Sequence, residues 1–404
     1  MYYDKPHTLT GALQHGLGRG ADRALRDPAA PDAVLACVRR DWRWDRMVDE
    51  RAVYLARLVR DLSMPVPPLV DLLNDVTDDD PDNGFENTLD VLEVLGRAGD
   101  EHAIDGLRRY VREGPHWLDV LHTIARDWPR DLWDDLLPVA HSRLTPDDDG
   151  PLWRGRPWVD WAVVDETIAA RAAAFRPLPR PERPFRERPI EDVFALMADG
   201  DADRRRAALF ELNRRGPQPG LLAVVDALPM RELGGSLGLA VERLGALAVP
   251  HLRAWAASPD HPLIWTAYRV LAEHGDDSDL ETLLAGWDWL RGRDGTLCGF
   301  QNFADGIARI GGPAALAAVP RLWRAWFWPH TYERVAFLRA ITALDPDLAT
   351  KLHVEGLWDC ESRVRQLAAA HVRFDDGTRE RLVHLRDDPM ETPEVRATAA
   401  SRLG

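Results

Sequence analysis

The sequence predicts an all-α protein, an α-α superhelix built from stacked helical hairpins, and three observations carry that expectation. One short helical sentence is written twice near the end, ESRVRQLAAAHV (361–372) and TPEVRATAASRL (392–403), each with a Val-Arg pair followed by alanine-rich positions. Val364 and Val395 stand about 31 residues apart, inside the ~20–50 residue period of repeat architectures. Apolar residues recur at three- and four-residue spacing almost everywhere, without strand-like alternation. Turn signals also return at roughly 30–36 residue intervals: Gly216-Pro217, Ala248-Val249-Pro250, Gly275-Asp276-Asp277, Gly311-Gly312-Pro313, Asp345-Pro346 and Asp375-Asp376-Gly377.

Taken in order, the chain divides into an N-terminal segment (1–26), helical repeats (27–145), a Trp-containing helix with a Pro/Arg-rich linker (146–189), and a second repeat array (190–404). In the first array Leu89, Leu92 and Leu95 form one stripe, Gly99-Asp100 breaks the chain, and Ile104, Leu107 and Val111 form another. Neither short helix buries its apolar face alone, so the pair must stack on neighbours. A second hairpin follows over 116–144, with Pro129 near the start of its second helix, where proline is tolerated. The stretch 157–175 reads as a helix opened by Pro157 that presents Trp158 and Trp161. Prolines 177, 179, 181, 184 and 189 then forbid a regular helix and favour a stiff extended spacer. Pro181 and Pro184 also satisfy P-x-x-P, a pattern that aromatic-lined modules read. From 190 the hairpins resume, and VPHLRAW (249–255) returns as VPRLWRAW (319–326).

The D/E-x-x-V-R-x-x-A-A pattern with its Gly/Asp turns resembles the HEAT and armadillo class of helical repeats, particularly the short HEAT-like kind first described in phycobilin lyases. The resemblance is good over 190–404, looser over 27–145 and poor over 146–189. It implies a fold, and motifs of this kind say little about activity. Arg365 and Arg396 match HEAT-like arginines that make a structural ladder with turn aspartates, while Val364 and Val395 read as core positions.

Composition narrows the function classes. Hydrophobic residues make up 45% and charged residues 29% of the 404 residues, a globular balance. The formal net charge of −15 argues against a protein whose main task is gripping phosphate backbones. Of 51 basic residues only Lys5 and Lys351 are lysine, a bias that reads as the mark of a GC-rich genome. Cys37, Cys298 and Cys360 are odd in number and widely spaced, which offers neither a disulfide framework nor a cysteine-based zinc site. No signal-peptide core and no run of ~18 apolar residues is visible, so a cytoplasmic protein without a membrane span is expected.

Gly234-Gly235-Ser236-Leu237-Gly238 satisfies G-x-S-x-G, but a nucleophile elbow needs a strand entering the turn, and the preceding GLLAVVDALPM reads as helix. Ser236 therefore reads as a helix N-cap. The loop DDDPDNGFENTLD (78–90) approaches a calcium loop, yet Pro81 occupies a ligand position. Asp147-Asp148-Asp149 and Asp276-Asp277 read as solvated turns. Thirteen histidines show no metal-binding pair. Gly16, Gly18 and Gly20 follow no strand, so a dinucleotide site lacks its geometry. Neither a catalytic constellation, a metal site nor a cofactor is expected.

Tryptophan is the stronger signal, with 16 in the chain. Trp255, Trp287 with Trp289, Trp323 with Trp326 and Trp328, and Trp358 fall near the ends of second helices of successive repeats, and Trp323, Trp326, Phe327, Trp328 and Tyr332 form one aromatic cluster. In HEAT-like proteins those helices line the concave face, so the resemblance implies an aromatic track there. Trp offers a large contact area with a polar handle, and Arg253 and Arg324 stand two residues before Trp255 and Trp326. The competing reading places these indoles in the seams between repeats. The expected function is a non-enzymatic scaffold binding a protein or peptide on a Trp-rich concave face. Two alternatives stand beside it: a DNA-binding protein like the HEAT-like glycosylases of alkylated bases, and an acidic, immunity-type neutraliser of a basic toxin.

Overall fold

The fold is described by a computed structural model over residues 2–75, 84–145, 148, 155–174, 184–293 and 298–404. Regular structure among these residues is helical, with no β-strand, in agreement with the all-α expectation. No described helix is long and apolar enough to cross a membrane. The chain forms two compact units that do not follow chain order. The first comprises Met1–Leu178, Phe327–Tyr332 and Lys351–Gly404; the second comprises Pro179–Trp326 and Glu333–Thr350. Residues 351–404, expected to continue the array of 190–350, thus pack with the N-terminal half.

In the first unit the apolar stripes become core. Leu89, Leu92 and Leu95 on the helix Phe85–Arg97, and Leu107 and Val111 on Glu101–Glu113, are buried. Burial of each such side chain stabilises by about 1.5–3 kcal/mol before chain entropy is counted. Polar caps fix where helices start. The Asp100 carboxylate accepts from the Ala103 N–H, and Asp375 forms a capping box with Thr378. Trp158 and Trp161, expected to be presented outward, are buried instead against His122 and Trp133.

Contacts far apart in sequence join the N-terminal helices to the C-terminal ones. The Cys360 N–H donates to the Gly16 carbonyl at 3.0 Å. Arg19 forks onto the Glu355 carboxylate at 2.9 and 2.5 Å, and Ser362 donates its N–H and hydroxyl to Glu50 at 2.7 Å each. Gly18 makes the approach possible, because a Cβ there would stand 1.9 Å from the Glu355 carbonyl oxygen.

In the second unit the helices Ala202–Arg215, Met230–Glu242, Ile264–His274, Phe300–Ile310 and Arg334–Leu344 pack each on the next. Val249–Ala256, Leu280–Arg291 and Val319–Ala325 pack on their hairpin partners. Gly306 lets Phe300–Ile310 approach Ile264–His274, since a Cβ at 306 would meet the Ala272 Cα at 2.6 Å. The N-terminus of Phe300–Ile310 is held by Glu333, a buried carboxylate that accepts from the N–H groups of Gly299, Phe300 and Gln301. No strand enters the G-x-S-x-G stretch. Gly234 (φ 51°, ψ −141°) breaks Met230–Glu242 at a kink into two helical segments, and Ser236, exposed, stands at the start of the second, two residues past the break. Of the Pro/Arg-rich stretch, 184–189 is described and turns rather than extends. Arg215 donates to the carbonyls of Phe185 and Arg188 at 2.5 and 2.8 Å. Pro181 of the P-x-x-P pattern lies outside the described residues.

Both units share a register of ties between helices. Arg108–Asp135, Arg205–Glu232, Arg253–Asp279, Arg321–Asp288, Arg339–Asp305 and Arg365–Glu391 join partners 26 to 34 residues apart. Four of these arginines reach forward in sequence to their carboxylate, and two, Arg321 and Arg339, reach back.

Candidate interaction surfaces

The predicted tryptophan set divides between the two units and between core and surface. Trp255 is 4% exposed, donates its Nε1–H to Asp226 at 3.1 Å and stacks on His261. Trp287 is 1% exposed among Phe300, Phe303 and Phe337, and Trp326 is fully buried. These three correct the aromatic-track expectation. They continue the apolar stripes of their helices, as in Leu283–Trp287–Leu290 and Leu322–Trp326, and therefore fill core. Trp289 is half-buried, with the Arg293 guanidinium 4.8 Å over its ring. Trp323 is half-buried in the second unit, and Trp328 and Tyr332 are half-buried in the first. Arg253 grips Asp279 and Asp276 at 2.8 Å, which raises its own pKa and commits it to an inter-helix tie. Arg324 is exposed.

The first unit holds a buried ionic cluster that spacing alone did not reveal. Arg365 forks onto Glu391 at 2.7 and 2.8 Å and donates to the carbonyls of Asp359 and Cys360. Arg365 thus pairs with Glu391, whereas Arg396 donates to the Arg386 carbonyl at 3.2 Å. Arg57 donates to Asp388 at 2.9 Å and lies 3.1 Å from Glu391, while Arg60 meets Asp388 at 2.5 Å. Burial alone would raise the Asp388 carboxyl, but the hydrogen bond from Arg60 and the charge of Arg57 hold it down at about 2. Arg381 lies 3.5 Å over the Trp358 ring, and burial beside Arg57 and Arg365 pushes its guanidinium down to about 9.

A surface that the sequence reading missed lies at 41–50, DWRWDRMVDE, a non-helical stretch. Both of its arginines are paired with carboxylates, Arg43 in the interior and Arg46 at the surface. Arg43 forks onto Asp41 and reaches Asp90 at 2.6 Å, and Arg46 pairs with Glu86 and Asp90 on the helix Phe85–Arg97. That arrangement leaves Trp44, Met47 and Val48 44%, 87% and 47% exposed. Trp44 rests edge-on against His330 at 4.9 Å. Burial raises the Glu86 carboxyl, and the charges of Asp90 and Asp119 raise it further. The signal was there to find: three large apolar residues alternate with charges where no helical stripe exists to bury them.

Acidity is concentrated in the same unit, which carries 31 basic and 43 acidic residues against 20 and 23 in the other. Most of the excess lies in 71–135, with 18 acidic and 6 basic residues. Residues 78–83 of the calcium-like loop are outside the described residues, as are Asp147 and Asp149; Asp90 is occupied by Arg43 and Arg46. Asp276 and Asp279 form a capping box. Among the described residues no group of three or more His, Cys, Asp or Glu side chains is placed to hold a metal ion. The second unit also has a groove of about 290 Å³ lined by Glu242, Arg269, Glu273, Asn302, Asp305 and Arg309. Its charges are largely paired, Arg269 with Glu242 at 3.1 Å and Asp305 with Arg339 at 2.6 Å. No family model matches this chain, and no curated protein or solved structure matches it.

Proposed function

We propose that this chain is a non-enzymatic helical-repeat scaffold of HEAT-like hairpins whose work is to bind a protein or peptide partner. The observation that carries the reading is the shared register of inter-helix ties, with partners 26 to 34 residues apart in both units. A tie repeated at one hairpin length is what stacked repeats require, and stacked repeats present long faces suited to extended partners. With Trp255, Trp287 and Trp326 in the core, the contact residues of the second unit reduce to the half-buried Trp289 and Trp323 and the exposed Arg324. Indole and guanidinium groups of this kind anchor protein interfaces.

The test uses the full chain, immobilised and exposed to extract of its native host, with bound proteins cross-linked and identified. A Trp289→Ala/Trp323→Ala/Arg324→Ala variant is expected to keep its helical content and lose the partner. Equal retention by the variant would move the contact elsewhere. Recovery of no partner, together with tight retardation of duplex DNA at low salt, would replace the scaffold reading with the nucleic-acid one.

A further inference from the structure

We propose that Arg381 and His384, on the helix Asp376–Asp387, hold a small inorganic anion of the chloride class beside the buried ionic cluster of the first unit. The other guanidiniums of that cluster are supplied with carboxylates. Arg57 meets Asp388 and Glu391, Arg60 meets Asp61 and Asp388, and Arg365 forks onto Glu391. Asp388 and Glu391 are thus already divided among three arginines, and Arg381 is a fourth. It is 7% exposed, and no carboxylate among the described residues pairs with it. Its Nε–H donates to the Leu357 carbonyl at 3.2 Å and its face lies 3.5 Å over the Trp358 ring, while Nη1 is buried without a hydrogen-bond partner. Stacking on the indole offsets charge across the face of the guanidinium, but it gives nothing to an N–H at the edge.

Charge decides what sits there. After burial itself, the strongest influences on Arg381 are the charges of Arg57 and Arg365, which outweigh those of Asp61 and Asp388. The guanidinium still stays protonated near neutrality, because even a pKa of about 9 leaves it charged. A bridging water satisfies Nη1–H but leaves a buried, uncompensated cation, whereas an anion answers both needs. His384 adds a second donor. It stands three residues further on, on the same face of the helix, and its Nε2 is likewise buried without a hydrogen-bond partner, 4.0 Å from the Asp388 carboxylate. Burial and the charge of Arg381 lower its pKa, so the ring is neutral at neutral pH, and its Nε2–H tautomer donates without adding a cation. Both donor atoms are closed off from solvent, which suits a single-atom anion better than a tetrahedral oxoanion with several oxygens to place. Such a site needs no partner protein and is independent of the scaffold reading.

The experiment compares the full chain in sodium chloride and in sodium gluconate, whose anion is too large for the site, at constant ionic strength and neutral pH. Chloride is expected to raise the thermal midpoint along a saturating curve. It should also raise amide protection of the helix Asp376–Asp387 about elevenfold at ten times its half-saturating concentration, if opening of that helix releases the ion. Arg381→Met should abolish the chloride effect and melt in gluconate no lower than wild type, since it removes a cation that has no carboxylate. A crystal of the wild-type chain soaked in sodium bromide should show an anomalous peak at hydrogen-bonding distance from Arg381 Nη1. Equal midpoints in chloride and gluconate, a chloride effect that survives Arg381→Met, or no bromide at Arg381 would overturn the proposal. A bromide peak without any effect in solution means binding at crystal concentration only, and overturns it equally. Misfolding or a clearly lower midpoint of Arg381→Met in gluconate would show that the chain itself compensates this charge, and would also refute the site.

Discussion

Replacing Asp388 with Asn tests how the C-terminal helices are held to the N-terminal ones within the first unit. The Asp388 carboxylate is buried, accepts from Arg57 at 2.9 Å and Arg60 at 2.5 Å, and also accepts the Met390 N–H at 3.0 Å. Its pKa is held from 3.8 down to about 2, a shift worth about 2.5 kcal/mol of stability when the group is ionised. The neutral amide also leaves Arg57 buried with Glu391 as its remaining carboxylate, in a cluster that already holds Arg365 and Arg381. Breaking one partner of a buried pair costs about 3–5 kcal/mol, so a loss of about 2.5–5 kcal/mol is expected at pH 7. Amide hydrogen exchange reads it locally. Protection of the helices Asp376–Asp387 and Pro393–Leu403 should fall roughly 70-fold or more if their opening limits exchange, since each 1.4 kcal/mol is about tenfold. The pH dependence has a fixed sign. A carboxyl depressed in the folded state contributes fully above its ordinary value of 3.8 and loses that contribution as pH falls through about 2. The gap between wild type and Asp388→Asn should therefore be widest near neutrality and close in acid. Unchanged protection at pH 7, or a gap independent of pH, would refute the view that this cluster holds the C-terminal helices.

Three further outcomes follow from the second unit. Trp326→Ala removes a fully buried indole and should cost about 3–5 kcal/mol in urea unfolding, whereas Trp289→Ala, at a half-buried site, should cost under about 1 kcal/mol; equal effects would contradict the division between core and surface. Glu333 is pushed up to about 7 by burial, although three backbone N–H groups oppose the rise. A raised carboxyl binds its proton more tightly in the folded chain, so its ionisation destabilises progressively from about pH 4.5 to about pH 7 and fully above that. Glu333→Gln should therefore match wild type near pH 5 and be more stable at pH 8, by up to about 3 kcal/mol, in thermal melts; a difference constant with pH would count against it. Gly306→Ala places a methyl 2.6 Å from the Ala272 Cα and should cost about 1–3 kcal/mol by forcing the two helices apart; denaturant titration with no change in midpoint would show that the crossing yields freely.

The helical class and the stripes were legible because they are local properties. Leu89, Leu92 and Leu95 must share a face once the segment is a helix, and Val364 and Val395 are buried where the doubled motif placed them. The tryptophans were not legible in the same way. Trp287 and Trp289 stand two residues apart on one helix, roughly 200° apart around its axis, so one is core and the other is half-exposed. Residue type is the same for both and both stand in the last five residues of the helix, and packing against Phe300 and Phe337 marks Trp287 as the core one. Trp44 was passed over for the converse reason, because it sits in no helix and no periodic pattern marked it.

The arginines show where local reading stops. Their abundance reads as a trait of nucleotide composition, and such a trait does not decide where they point. Arg57 and Asp388 are 331 positions apart, and nothing within a window of one repeat announces that pair. The ties at 26 to 34 residues are visible in principle, since each arginine has a carboxylate one hairpin away. With 66 acidic residues in the chain, however, nearly every arginine has such a neighbour, and spacing alone does not choose among them. Burial does. Arg365, Arg57 and Asp388 must find partners because a lone charge there costs several kcal/mol, whereas Arg396 on the surface needs none. The doubled Val-Arg motif therefore encodes two different arginines, and the depth of the helix that carries each one decides which becomes a structural tie.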